Sequence, residues 1–173
     1  SSEPPAKNVK IFNNRFKSGS MGVYNDYGYS SLGNSDNFQI DKNVFEDQYY
    51  MGIYLYYVNN IYIRNNLMYR NNTGYVNSYG IYCYYSTKGG EISGNTLYNQ
   101  EYFGIYTYEF DGQAGDSFYV FNNSVHCRTN NSVSGITLYY PSYLNLSYNN
   151  VHVQSTNTGS EALLLYSPSQ TVM

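Results

Sequence analysis

The side chains able to do chemistry are few and scattered. Twelve acidic, nine basic and two histidine residues are spread over 173 positions. The densest acidic group is Glu109, Asp111 and Asp116, within Glu109-Phe110-Asp111-Gly112-Gln113-Ala114-Gly115-Asp116. Carboxylates and loop carbonyls of this kind can hold a hard cation such as calcium, which makes the three weak metal candidates. A solvated loop is the simpler reading. His126 and His152 fall at the same place in two successive repeats, where two imidazoles could bridge a metal if a third ligand joined them. Two exposed imidazoles on a strand is the plainer expectation. Lys17 and Glu46 likewise share a position in adjacent repeats and read as a surface ion pair of small value. Asp26 stands alone. No catalytic residue is assigned, and no cofactor is expected.

The two cysteines, Cys83 and Cys127, are too few for a disulfide framework. They lie two repeats apart, and two strand spacings alone come to about 9–10 Å, beyond disulfide reach. Both are expected to be free, buried thiols.

These residues are positioned by a weak repeat running along the whole chain. Its first half reads apolar-x-apolar-x-x-Asn-x-apolar. It occurs as Val9-Lys10-Ile11 with Asn14 and Phe16, as Phe38-Gln39-Ile40 with Asn43 and Phe45, and as Ile61-Tyr62-Ile63 with Asn66 and Met68. It continues as Gly90-Glu91-Ile92 with Asn95, Phe118-Tyr119-Val120 with Asn123, and Leu144-Asn145-Leu146 with Asn149. The six asparagines are 29, 23, 29, 28 and 26 residues apart. The second half reads Gly-apolar-x-x-Tyr, as in Gly52-Ile53-Tyr54-Leu55-Tyr56, Gly80-Ile81-Tyr82-Cys83-Tyr84 and Gly104-Ile105-Tyr106-Thr107-Tyr108. Gly135-Ile136-Thr137-Leu138-Tyr139 is a fourth copy; the copies beginning at Gly22 and Ala162 are degenerate.

Both halves alternate with period two, the signature of strands, and no 3.6-residue periodicity is sustained. A unit of this length cannot bury its own apolar side, but stacked units can. The expected fold is therefore all-β: a parallel β-solenoid of about six coils. Asn14, Asn43, Asn66, Asn95, Asn123 and Asn149 would form a ladder at one corner. Asparagine tolerates a left-handed backbone there and can bond the next asparagine along the stack. The glycine column would mark a second corner needing a permissive residue.

Composition narrows the function. Net charge is −3 and charged residues are 12%, which argues against nucleic-acid binding. No apolar run approaches the ~18 residues of a membrane helix, so no membrane insertion is expected. Residues 1–7 read as a linker or end segment and 8–173 as a single domain, a segment of a longer protein. The chain has 25 tyrosines and no tryptophan. Registering the repeats places Tyr24, Tyr54, Tyr82 and Tyr106, then Thr137, in one outward column. Tyr56, Tyr84, Tyr108, Tyr139 and Tyr166 fall in a second, with Tyr57, Tyr85 and Tyr140 at the next corner. Such ladders stabilise adjacent strands, and an exposed aromatic patch also marks a contact surface.

The Asn-x-apolar and Gly-Ile-x-x-Tyr columns resemble the right-handed parallel β-helix, or pectate-lyase-like, superfamily across residues 8–166. The Tyr- and Asn-rich style, as in Asn122-Asn123-Ser124-Val125-His126, is similar to secreted and cell-surface β-helix proteins of Bacteroidota. The resemblance implies a right-handed solenoid at the cell surface or outside the cell. Combined with the tyrosine columns, it leads to a non-enzymatic structural or contact module whose partner is a polysaccharide or neighbouring protein copies. The alternative is a fragment of a polysaccharide lyase or glycoside hydrolase, enzymes of this superfamily that work through carboxylates with calcium and a basic residue, or through clustered aspartates.

Overall fold

The computed structural model describes residues 4–26, 33–71 and 78–167. The chain passes through three strands per turn. The first turn is β1 (Lys7–Phe12), β2 (Arg15–Lys17) and β3 (Met21–Asp26); the second is β4 (Ser35–Asp41), β5 (Val44–Glu46) and β6 (Met51–Tyr56). Then follow β7 (Val58–Arg64), β8 (Leu67–Tyr69) and β9 (Tyr79–Ser86), and β10 (Gly90–Ser93), β11 (Thr96–Gln100) and β12 (Phe103–Phe110). The last two are β13 (Phe118–Phe121), β14 (Ser124–Thr129) and β15 (Ser134–Tyr139), and β16 (Leu144–Ser147), β17 (Asn150–Ser155) and β18 (Glu161–Tyr166). Strand β1 begins at Lys7, the last residue of the segment read as a linker.

Equivalent strands pair in parallel, giving three six-stranded sheets. Six passes through each sheet make about five complete turns. No helix occurs among the described residues.

The alternation of the sequence becomes the wall of a tube. Ile40, Ile63, Ile92 and Val120 line the first sheet from inside; Phe45, Met68, Leu97 and Val125 line the second; Ile53, Ile81, Ile105 and Ile136 line the third. All are buried and form one continuous core. Cys83 and Cys127 belong to it as free thiols. Burial pushes the Cys127 thiol up to about 12 and raises Cys83 as well, so both stay protonated and inert.

The asparagine corner is built differently from the expectation. The left-handed residues are those immediately before the ladder asparagines: Asn13, Lys42, Asn65, Gly94, Asn122 and Tyr148, with φ of 53–62°. That turn frees each ladder side chain to point along the stack. Asn66 Nδ2 donates to Asn95 Oδ1 at 2.9 Å, and Asn95 Nδ2 donates to Asn123 Oδ1 at 3.0 Å. The same contact joins Asn14 to Asn43, Asn43 to Asn66 and Asn123 to Asn149. Each acceptor oxygen also takes the backbone N–H of the asparagine before it. The second proton of each inner amide goes to a strand carbonyl of the preceding turn, such as Ile63 O for Asn95.

The glycine column also has another cause. None of Gly22, Gly52, Gly80, Gly104 or Gly135 has positive φ. A Cβ at Gly80 would lie 2.3 Å from Leu97 Cδ2 and 2.6 Å from the Gly104 carbonyl oxygen. Gly22, Gly52, Gly104 and Gly135 meet the same obstacle, a side chain of the second sheet and the carbonyl of the next turn. Glycine is required there by close approach, not by backbone conformation.

Candidate functional site

The third sheet carries the tyrosines. Period-two alternation turns Ile81 and Cys83 inward and Tyr82 and Tyr84 outward, and parallel register repeats this from turn to turn. In the first column the ring centroids of Tyr24 and Tyr54 are 5.2 Å apart, Tyr54 and Tyr82 5.3 Å, and Tyr82 and Tyr106 4.8 Å, with interplanar angles of 19°, 13° and 5°. In the second, Tyr56 and Tyr84 are 5.4 Å apart, Tyr84 and Tyr108 4.4 Å, Tyr108 and Tyr139 6.2 Å, and Tyr139 and Tyr166 5.2 Å. Tyr57 and Tyr85 stack at 4.9 Å beside them, and Tyr140 meets Tyr108 and Tyr166 edge-on. The columns touch each other: Tyr82 and Tyr84 are 6.0 Å apart.

In the first column and between Tyr84 and Tyr108 the rings stack face to face, while the other contacts of the second column are tilted by 31–47°. Tyr54, Tyr82, Tyr106, Tyr56, Tyr84, Tyr108 and Tyr139 are half-buried, and what they offer outward is ring edge and hydroxyl. Tyr24 and Tyr166, in the first and last turns, are the more exposed, at 56% and 48%. Thr137, the fifth rung of the first column, is not a surface residue: it is completely buried, in register between Tyr106 and Leu164. Desolvation, followed by the Asp26 carboxylate at Tyr54 and by neighbouring phenols elsewhere, pushes Tyr54 and Tyr106 up to about 12 and raises Tyr82 and Tyr84 further. At neutral pH these phenols are uncharged, and Asp26 adds a carboxylate beside Tyr24 at the first turn.

Sequence reasoning missed a second aromatic group at the entrance of the same sheet. Tyr79 stacks on Phe103 at 5.3 Å and meets Tyr82, Tyr102 and Tyr50 edge-on. These residues stand just before the glycine column, so the register that found the ladders contained them too.

Of the charged candidates, Asp26 sits within the tyrosine grid, in register with Tyr56, and Glu109 lies on the same sheet in β12; the others stand apart from the ladders. Glu109, Asp111 and Asp116 are not brought together, and no group of three His, Cys, Asp or Glu suited to a metal occurs among the described residues. Asp111 accepts from Ser142 Oγ at 2.7 Å, and the backbones of Gln113 and Asp116 bond each other, which closes the loop on itself. Glu46 pairs with Lys17 as expected, but its carboxylate is buried and is shared with Arg15. Arg15 reaches it through Nε at 3.0 Å and Nη2 at 2.5 Å, and Lys17 joins at 3.2 Å. The hydrogen bonds from Arg15, ahead of Lys17, hold the Glu46 carboxyl below the usual range. Arg70 and Glu101, which the repeat did not single out, pair at 3.5 Å with both side chains buried. Asp26 accepts from the Tyr24 hydroxyl at 2.8 Å. His126 and His152 lie in register with their rings stacked 4.8 Å apart. Burial, then His152 and Arg128, lowers the His126 pKa.

A family model described as "Right handed beta helix region" matches residues 4–170. No match was found among curated proteins or among solved structures. Three parallel sheets coiled about one core, an asparagine corner and a family match over nearly the whole chain lead to one assignment: the chain belongs to the right-handed β-helix family.

Proposed function

We propose that the chain is a non-enzymatic structural and contact module, secreted or at the cell surface, and that the tyrosine sheet is its contact face. The observation that carries this reading is the hydroxyl-tipped grid, repeating from turn to turn with ring spacings of 4.8–5.3 Å in the first column. That repeat is close to the length of one sugar ring in an extended chain. A polysaccharide lying along the tube axis meets an equivalent phenol at each turn. Because ring faces are occupied, recognition runs through phenol hydroxyls and ring edges, with Tyr24 and Tyr166 the exceptions. The uncharged phenols, with the Asp26 carboxylate among them at the first turn, favour uncharged glycans over acidic ones.

The test is affinity electrophoresis against a panel of neutral and acidic polysaccharides. Wild type is compared with Tyr54→Ala/Tyr82→Ala/Tyr106→Ala and with the packing-preserving Tyr54→Phe/Tyr82→Phe/Tyr106→Phe, each checked for fold by circular dichroism. Retardation of the wild type that both variants lose supports the reading. Tyrosine-dependent self-association in sedimentation, without retardation, makes the partner a second copy. Neither behaviour removes the contact role.

A further inference from the structure

Phenols in van der Waals contact can do one thing that isolated phenols cannot: pass an oxidising equivalent along the row. Tyr24, Tyr54, Tyr82 and Tyr106 form such a row, and Tyr106 continues to Tyr139 at 5.7 Å and from there to Tyr166 at 5.2 Å. A tyrosine surrenders an electron readily only if its proton has somewhere to go. Tyr24 donates its hydroxyl proton to the Asp26 carboxylate across 2.8 Å, within reach for direct transfer. The inner phenols are half-buried and raised mainly by desolvation, whereas Tyr24 is raised mainly by the hydrogen bond that holds the Asp26 acceptor against it. An electron vacancy created anywhere on the stack is therefore drained toward Tyr24, whose ring is also open to the surroundings.

We propose that Tyr24 is an oxidative cross-linking site, fed by the tyrosine stack and armed by Asp26. The co-reactant is a one-electron oxidant of the peroxidase or photo-oxidant class. The oxidant takes one electron and Asp26 takes the phenol proton, leaving a neutral phenoxyl radical on Tyr24. Radicals on two copies join through a carbon–carbon bond ortho to each oxygen. As the rings regain aromaticity, each coupled carbon loses its hydrogen and each oxygen recovers one. The net change is loss of two electrons to the oxidant and two protons to solvent, giving a dityrosine that covalently joins two copies. This chemistry uses the same sheet as the contact role but stands whether or not the sheet binds a polymer.

The experiment is a brief photo-oxidation with tris(bipyridine)ruthenium and persulfate, followed by denaturing electrophoresis and peptide mapping. Tyr148 is 86% exposed against 56% for Tyr24, so oxidation governed by exposure marks Tyr148 first. The proposal requires the reverse: several-fold more cross-linking at Tyr24, and loss of most covalent dimer in Tyr24→Phe. Asp26→Asn, which removes the proton acceptor, lowers Tyr24 modification several-fold. Tyr82→Phe/Tyr84→Phe/Tyr85→Phe keeps the ring packing but removes the phenols that carry the two columns and the corner through the third turn. It lowers the yield at Tyr24 and raises it at Tyr106 and Tyr139. Modification that follows exposure, or a Tyr24 yield unchanged in Asp26→Asn or in the triple variant, overturns the proposal.

Discussion

Asn95 takes part in five hydrogen bonds along the corner ladder, two through its own amide, two through its carbonyl oxygen and one through its backbone N–H. Asn95→Ala orphans the buried Asn66 amide and the Ile63 carbonyl together, and should cost on the order of 3 kcal/mol or more in urea unfolding, given ~1–3 kcal/mol per orphaned group. Thr107 predicts the opposite sign. Its hydroxyl is buried with no hydrogen-bond partner, inward between Cys83 and Leu138. Thr107→Val replaces that oxygen with a methyl group and should raise stability by about 1 kcal/mol, read as a higher urea midpoint. Glu46 sets a pH dependence. Its folded pKa is depressed, so its contribution is present above the ordinary glutamate range and is lost as pH falls through the lower, folded value. The melting-temperature gap between wild type and Glu46→Gln should be widest near pH 7 and close toward pH 3. The ladder was legible at this scale because one residue type recurs. The left-handed residues beside it were not, because Asn, Lys, Gly and Tyr all serve there.

Strands in this molecule are short, three to eight residues, and take their order from neighbours on both sides. That makes the glycine column the tightest joint between elements. Gly80→Ala places a methyl group against Leu97 and against the Gly104 carbonyl oxygen. Leu97 can give way but the backbone cannot, so the substitution should cost about 1–3 kcal/mol, the range for overpacking. Gly80→Ala/Leu97→Ala should not restore the melting temperature, which separates backbone crowding from side-chain crowding. Ala162, exposed in the same register in β18, has no described strand above it and meets no such obstacle. The glycine column could be read from the repeat, yet its reason could not, because the obstructing atoms come from another sheet and from the next turn, such as Leu97 and Gly104 for Gly80. The tyrosine columns were readable in the same way. Stacking of their rings between adjacent strands followed from the same register, and the structure shows it.

A tube of stacked turns has no contact that spans its length, so stability is a sum of turns and of the joints between them. Hydrogen exchange should be slowest in β7, β10 and β13, which have partners on both sides and buried inner residues, and should quicken toward β1 and β16. Uniform protection along the first sheet would contradict this and indicate a single cooperative unit. The solenoid itself was the most legible feature, since a period of 23 to 29 residues leaves few other ways to bury an apolar side. The stack of rings has an optical consequence as well. Light absorbed by one phenol finds identical chromophores about 5 Å away and no tryptophan anywhere to collect it. Excitation should wander along the tube before emission, so the native protein should emit tyrosine light that is strongly depolarised. Unfolding should restore the anisotropy, which makes the polarisation of the protein's own glow a gauge of whether its rings are still in file.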